Sequence, residues 1–131
     1  MGVALLDTSI VIGALNRDDA LHEIAGQAIR TERDRHALAI SALTYAEILV
    51  GPLRVGGRAV EVVERFARQV RIADLSPDVA RHAAELRVHR GLKLPDAVIV
   101  ATGLRLGAAV ILTADARWKD IETVRVVGGR R

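Results

Sequence analysis

Four acidic residues, far apart in the chain, stand beside apolar stretches: Asp7, Glu47, Asp96 and Asp115. Asp7 lies inside the apolar run VALLDTSIVIGAL, and Asp115 ends another such run, in LTAD. An unpaired carboxylate in apolar surroundings costs several kcal/mol, or its pKa shifts until it is neutral. Several carboxylates at one place would instead form a site for a cation, so their chemistry depends on the elements that position them.

Short apolar runs alternate with helical patterns along the chain. The runs predict buried strands, and apolar residues spaced by three or four predict helices. The predicted strands are Val3–Leu6, Ala37–Ile40, Ala109–Leu112 and Val124–Val127. The predicted helices are Ser9–Leu15, Asp19–Arg33, Leu43–Val50, Arg58–Val70, one that begins at Ser76-Pro77 and ends at Gly91, and one from Pro95 to Gly107.

Three local features mark the ends of these elements. Gly51-Pro52 predicts the end of the helix that starts at Leu43. Val70–Ala73 reads either as a short strand or as the end of the preceding helix. Gly128–Arg131 reads as a loose basic tail.

This alternation of strands and helices predicts an α/β protein with a mainly parallel central sheet covered by helices. Ligands of such sheets bind beyond the carboxyl ends of the strands. Asp7 and Asp115 follow strands directly, and Glu47 and Asp96 lie in early turns of helices that start at the same edge. We therefore expect all four acids to meet on one rim.

Each acid also has an ordinary explanation. Asp7 can cap the helix that follows it, and Glu47 with Thr44 fits a capping box. Asp96 suits a first helical turn, where the helix dipole stabilises it, and Asp115 suits a turn. These explanations do not account for four acids on one edge.

Clustered carboxylates repel one another unless a cation neutralises them, and oxygen ligands suit Mg²⁺ or Mn²⁺. The chain has no cysteine, and its four histidines are scattered along the sequence, at His22, His36, His82 and His89. Both facts argue against a zinc site. A divalent ion held by acids can activate water and orient a phosphodiester. The pattern thus indicates hydrolysis of a nucleic-acid backbone.

The composition fits that chemistry. Net charge is +3, and all but two of the 19 basic residues are Arg, so the surface around an acid-bound metal would attract polyanions. Only Tyr45, Phe66 and Trp118 are aromatic, so contacts to RNA should be mainly to phosphate. Four arginines are candidates for them: Arg17, Arg54, Arg105 and Arg117.

The 131 residues fit one domain, residues 1–131. No basic leader precedes the first apolar run, and Asp7 interrupts that run early. We therefore expect neither a signal peptide nor a membrane span, and a cytoplasmic location, with which the lack of cysteine is compatible.

Three blocks of the sequence resemble the motifs of PIN-domain ribonucleases, and most closely those of VapC-type toxins: LLDTSIVI, SALTYAEILVG and LKLPDAVIVATGLRLGAAVILTAD. The resemblance runs from Val3 to about Val127. It implies a three-layer α/β/α sandwich and an acidic quartet that binds Mg²⁺ or Mn²⁺. It also implies cleavage of single-stranded RNA to a 5′-phosphate and a 3′-hydroxyl.

Matched motif by motif, the quartet falls on Asp7, Glu47, Asp96 and Asp115, and Ser9 and Thr113 match the supporting hydroxyl positions. One position departs from the pattern. Many relatives have a further acid two residues after the last one, and this chain has Arg117 there. The resemblance therefore predicts one bound ion at rest.

The resemblance further implies a homodimer and a cognate VapB-type antitoxin, assembled as a heterotetramer or larger complex. The antitoxin would lie in a groove formed by helices Asp19–Arg33 and Leu43–Arg68 and bring a basic side chain to the acids. Glu47 is either a metal ligand or the group that orients or deprotonates water.

Alternatives remain within and outside the family. A PIN-like RNA-binding module without catalysis and a housekeeping RNA-processing nuclease share the fold. A phosphoacceptor domain would need an acid beside Asp7 and a late lysine after a strand. A phosphatase with an Asp nucleophile would need an acid where Ser9 stands. The absence of those residues disfavours these last two classes, and the intact quartet argues against a module without catalysis.

Overall fold

A computed structural model describes residues 2–128. Its strands are β1 (Gly2–Leu6), β2 (His36–Ser41), β3 (Arg71–Ala73), β4 (Val110–Thr113) and β5 (Val124–Val126). Its helices are α1 (Thr8–Leu15), α2 (His22–Arg33), α3 (Ala42–Val55), α4 (Arg58–Ala67), α5 (Pro77–Arg90) and α6 (Leu94–Arg105), with a 3₁₀ helix at Ala116–Trp118.

The strands form one parallel sheet with apolar residues on both faces. Within β1, Ala4 and Leu6 face one core together with α1 to α4, whereas Leu5 faces a second core together with α6. Successive strand residues point to opposite faces, so a strand covered on both sides is apolar throughout. The predicted three-layer α/β/α sandwich is confirmed.

The order of the strands, β3-β2-β1-β4-β5, places the first strand beside the fourth. The chain builds outward from β1 to β3 and then returns to add β4 on the other side of β1. This reversal is a topological switch point, where the crevice at the carboxyl edge opens in parallel sheets. Leu6 and Leu112 are in register across it, so the residues that follow them meet there.

The predicted end of α3 at Gly51-Pro52 is wrong. The helix continues through Pro52 to Val55 and ends at Gly56, whose φ is 84°. Proline removes one backbone donor, but the residues after it can still donate, and Gly56 N–H bonds to the Pro52 carbonyl at 2.7 Å.

Other boundaries shift by a few residues. Helix α2 starts at His22, because the Asp19 side chain accepts the Leu21 N–H in a turn before it. Residues 71–73 are a strand, which resolves the alternative left open above. Beyond Gly128, the expected basic tail lies outside the described residues. Within residues 2–128, no helix is both long and apolar enough to cross a membrane.

Candidate active site

Asp7 follows β1 directly and is almost completely buried, with 6% of its surface exposed. Its Oδ1 accepts the Thr8 N–H at 2.8 Å, so it does cap α1. Its Oδ2 accepts the hydroxyls of Thr113 at 2.7 Å and Ser9 at 3.0 Å. Burial raises the pKa of Asp7, and the charge of Asp96 adds to that rise. No ion pair of the described residues includes this carboxylate, so three neutral donors hold a buried charge.

The supporting hydroxyls join the ends of β1 and β4. Thr113 Oγ1 donates to Asp7 and accepts the Asp115 N–H at 3.0 Å, while Ser9 Oγ accepts the Ala114 N–H at 3.2 Å. Thr113 is fully buried. These contacts fix the direction of the Asp7 carboxylate and the start of the segment that carries Asp115.

Glu47 lies in the second turn of α3. The helix is capped by Ser41, whose Oγ accepts the Thr44 N–H at 2.9 Å, so the alternative explanation of Glu47 as part of a capping box with Thr44 is wrong. Glu47 Oε1 instead accepts the Thr8 hydroxyl at 2.6 Å. Because the cap lies at Ser41, Glu47 takes no part in capping α3. Its side chain instead contacts Thr8, the residue next to Asp7.

Thr8 and Thr44 were not identified as site residues from the sequence. Their hydroxyls lie 3.0 Å apart, and Ser41 Oγ donates to Thr44 Oγ1 at 3.2 Å. The hydroxyls thus connect the α3 cap to the Glu47 carboxylate. The available signal was the spacing of three between Thr44 and Glu47, which places them on one side of a helix.

Asp96 lies in the first turn of α6, whose N-cap Lys93 provides no side-chain cap. Burial raises the pKa of Asp96, and the charges of Asp115 and Glu47 raise it further, against the opposing charges of Arg117 and Lys93. Among the described residues, no side chain donates a hydrogen bond to its carboxylate. Asp96 is therefore free to bind something from outside the chain.

Asp115 caps the 3₁₀ helix after β4 and differs in its partner. Its carboxylate accepts the Arg117 backbone N–H at 2.9 Å and the Arg117 guanidinium at 2.5–3.1 Å. The hydrogen bonds from Arg117 lower the pKa of Asp115. Arg117, the departure from the family pattern, thus pairs with one of the quartet.

The four acids line one open cavity of about 330 Å³ at the switch point, together with Thr8, Ser9, Ile99 and Ala114. None of the four candidate arginines lines it: Arg17, Arg54, Arg105 and Arg117. Arg105 lies 3.9 Å from Asp78 at the far end of α6. The histidines do not line the cavity either. Its polar side chains carry carboxylates and hydroxyls, the oxygen ligands that a hard cation such as Mg²⁺ prefers.

The side chains that line the cavity determine which ion it could hold. In residues 2–128, no three acidic or imidazole side chains converge as a ready-made metal cluster. Mg²⁺ does not require one, because it keeps several waters and uses one or two protein carboxylates with substrate phosphates. A cavity whose polar lining is carboxylate and hydroxyl oxygen, without His or Cys, fits a partly hydrated Mg²⁺ or Mn²⁺ better than zinc.

Comparison with solved structures gives relatives that align over most of their length. A chain of a toxin–antitoxin complex from Klebsiella pneumoniae is 29% identical, with a TM-score of 0.80, covering 94% of this chain and 96% of that one. VapBC2 from Rickettsia felis, solved with a DNA fragment from its promoter, gives 19% identity, a TM-score of 0.76 and coverage of 95% and 98%. Mycobacterium tuberculosis VapC20, a toxin that cleaves the sarcin–ricin loop, is 22% identical, with a TM-score of 0.68, and the alignment covers 82% of this chain and 86% of that one.

The sequence itself matches a family profile over most of its length. No curated protein is significantly similar to the chain. The profile of the PIN domain matches residues 4–124, a range that includes all four acids. The resemblance inferred from the three motif blocks is confirmed, and this chain belongs to the PIN-domain family.

Proposed function

We propose that this chain is a VapC-type toxin: a Mg²⁺- or Mn²⁺-dependent endoribonuclease that cleaves single-stranded RNA and is inhibited by a cognate antitoxin. One observation carries the proposal: Asp7, Glu47, Asp96 and Asp115 line a single cavity at the carboxyl edge of a PIN-domain sheet. Carboxylates that share a cavity repel one another unless a cation neutralises them, and Asp7, Glu47 and Asp96 have no cationic partner among the described ion pairs. The similarity to a toxin–antitoxin chain at 29% identity supports the toxin class.

The side chains divide into groups that bind and groups that orient. Asp7, Asp96 and Asp115 hold the cation, directly or through water. Ser9 and Thr113 keep the Asp7 carboxylate directed at the cavity, and Thr8 does the same for Glu47. Outer partners of this kind commonly matter 10–100-fold for metal affinity or activity.

Glu47 is either a further ligand or the group that orients or deprotonates the attacking water. One of its oxygens accepts from Thr8, and the other is not engaged by the described side chains. A divalent cation, when bound, supplies positive charge to the phosphodiester oxygens and lowers the pKa of water. The apolar side of Ile99 limits the cavity beside Asp96.

The antitoxin would bind in the apolar clefts that adjoin the acids. A cleft of about 500 Å³ between α1, α3 and α4 is lined by side chains including Ile12, Val55 and Val62, and Glu47 lies at its border with the acidic cavity. A second cleft adjoins α2. A helix with an apolar face would fit such a groove and direct a basic side chain at the carboxylates.

The remaining proposals follow from the toxin class. We propose that residues 1–131 act as one nuclease domain in the cytoplasm, as a homodimer that joins its antitoxin in a heterotetramer or larger complex. Size-exclusion chromatography with light scattering, on the chain alone and with its antitoxin, measures these assemblies directly.

The decisive experiment is cleavage of total RNA by purified, antitoxin-free protein with Mn²⁺ or Mg²⁺, with and without EDTA. We expect discrete 5′-phosphate fragments that disappear with EDTA and with Asp7→Asn. Asp34→Asn is the matched control, because Asp34 is an exposed acid after the end of α2, and it should cleave as wild type does.

Each other outcome points elsewhere. Metal binding without cleavage of any RNA would favour the non-catalytic RNA-binding module. Processing of one precursor RNA, without general toxicity in cells, would favour the housekeeping nuclease. Cleavage that survives both EDTA and Asp7→Asn would overturn the site.

A further inference from the structure

Arg117 provides every hydrogen bond that the Asp115 carboxylate accepts from the described residues. Its Nε lies 2.9 Å from Oδ1 and 3.1 Å from Oδ2, and a terminal guanidinium nitrogen also contacts Oδ2. Its backbone N–H adds a bond to Oδ1. Both carboxylate oxygens are thus engaged by a single cationic residue.

The position of this contact matters because Asp115 lines the acidic cavity. The charge of Arg117 also acts on Asp96, which has no hydrogen-bond donor of its own among the described residues. Lys93 acts on the same two acids through its charge but forms no ion pair with either within residues 2–128. Arg117 is therefore distinguished by contact and not by charge alone.

The ion pair between Arg117 and Asp115 can open at little cost in stability. The Arg117 side chain is 67% exposed and that of Asp115 is 23% exposed, and ion pairs in contact with solvent contribute little to stability. A divalent cation would seek the same Asp115 oxygens, and it would be repelled by a guanidinium nearby. Arg117 already contacts both Asp115 oxygens, so a cation that coordinated Asp115 would have to share or displace these hydrogen bonds.

We propose that Arg117 is a built-in counter-ion of the acidic cavity, which competes with the divalent cation for Asp115 and thereby weakens metal binding. The inference rests on the proposed function, since it concerns the regulation of the same site. It follows that metal occupancy of the cavity increases when a group other than Asp115 binds the Arg117 guanidinium.

The test is Mn²⁺ affinity of the metal-free, full-length protein, with free Mn²⁺ measured by electron paramagnetic resonance. Arg117→Ala removes one positive charge a few ångströms from the ion. Its dissociation constant for Mn²⁺ should therefore be roughly three- to tenfold lower than that of wild type. Two variants with the same loss of charge serve as controls. Arg105→Ala, whose ion pair with Asp78 is at the far end of α6, should stay within about twofold of wild type. Lys93→Ala should gain less than Arg117→Ala.

A double-mutant cycle separates contact from a general field effect. In an Asp115→Asn background, the gain from Arg117→Ala should disappear. A gain that persists there, or an Arg117→Ala affinity equal to or weaker than that of Arg105→Ala, would overturn the counter-ion role while leaving the nuclease proposal intact.

Failure of the underlying function gives a different result. If Asp96→Asn bound Mn²⁺ as tightly as wild type, or if wild type bound none, the acidic site itself would be wrong. The counter-ion role would then fall with it.

Discussion

Two acids of this protein are buried almost to the same extent and are held in opposite ways. Glu32 is 3% exposed and lies 2.9 Å from Arg125 and 3.7 Å from His36. Asp7 is 6% exposed, and its donors are two hydroxyls and one backbone N–H, all neutral. Glu32 therefore has its counter-charge within the chain, whereas Asp7 has none among the described ion pairs.

The difference shows that burial alone does not identify a functional acid. Glu32 connects the end of α2 to the edge strand β5 and to the start of β2, which is a structural task. Asp7 faces a cavity that it shares with three other acids, and we propose that a bound cation compensates its charge. The type of partner, cationic or neutral, distinguishes the two.

The largest expected effect separates the two acids by activity. Asp7→Asn should lower the rate of RNA cleavage by at least about a hundredfold, because even outer partners of metal ligands matter 10–100-fold. Glu32→Gln should keep activity within about threefold once folded, because it does not line the acidic cavity. Initial rates in Mn²⁺, with circular dichroism to confirm folding, check both. Equal losses of cleavage rate in Asp7→Asn and Glu32→Gln would contradict the distinction between a catalytic and a structural acid.

The next effect concerns the neutral donors of Asp7. Thr113→Val keeps the side-chain shape but removes the hydroxyl that bonds to Asp7 and Asp115, so Mn²⁺ affinity and cleavage should fall about 10–100-fold. Thr102→Val is the matched control, because its buried hydroxyl bonds only within α6. Similar affinity in both variants would argue against an orienting role for Thr113.

The third effect concerns the cationic partner of Glu32. Arg125→Ala leaves a buried carboxylate with only His36 nearby, so the free energy of unfolding should fall by about 1–3 kcal/mol. Arg81→Ala breaks an exposed pair with Glu85 and should cost less than about 0.5 kcal/mol. Urea denaturation measures both. A loss of metal affinity in Arg125→Ala at unchanged folding would contradict a purely structural Glu32.

The smallest effect tests the uncompensated charge by pH. Native Asp7 and Asp96 have raised pKa values, so they hold protons at pH values where the unfolded chain, with its ordinary value of 3.8, has released them. Their contribution to stability therefore decreases as pH rises from 3.8 through the native pKa. The lowered pKa of Asp115 acts below 3.8 and therefore lies outside this pH range.

The matching measurement is the thermal midpoint of metal-free protein across that range. Asp96→Asn should have a higher midpoint than wild type at pH values above the native pKa of Asp96, and the difference should shrink as pH falls toward 3.8. Saturating Mn²⁺ should reverse the order, because only wild type keeps the full set of acids. A wild-type midpoint that stays above that of Asp96→Asn without metal would show that the charge is already compensated.

The sequence by itself determined the alternation of strands and helices and the edge at which the acids lie. Apolar runs and helical periodicity are local properties, and parallel strands bring their carboxyl ends to one side whatever their order. Local signals failed where another part of the chain offered a better partner. Pro52 did not end α3, and Glu47 did not serve as a cap.

Only the tertiary structure decided which side chains meet. Pairing of β1 with β4 brings Thr113 to Asp7 across 106 residues of sequence, and the packing of α1 against α3 brings Thr8 to Glu47. The partner of Glu32 likewise comes from a distant strand. Spacing along the chain fixes which face or edge a residue occupies, but its neighbour across space depends on the order in which the strands pair.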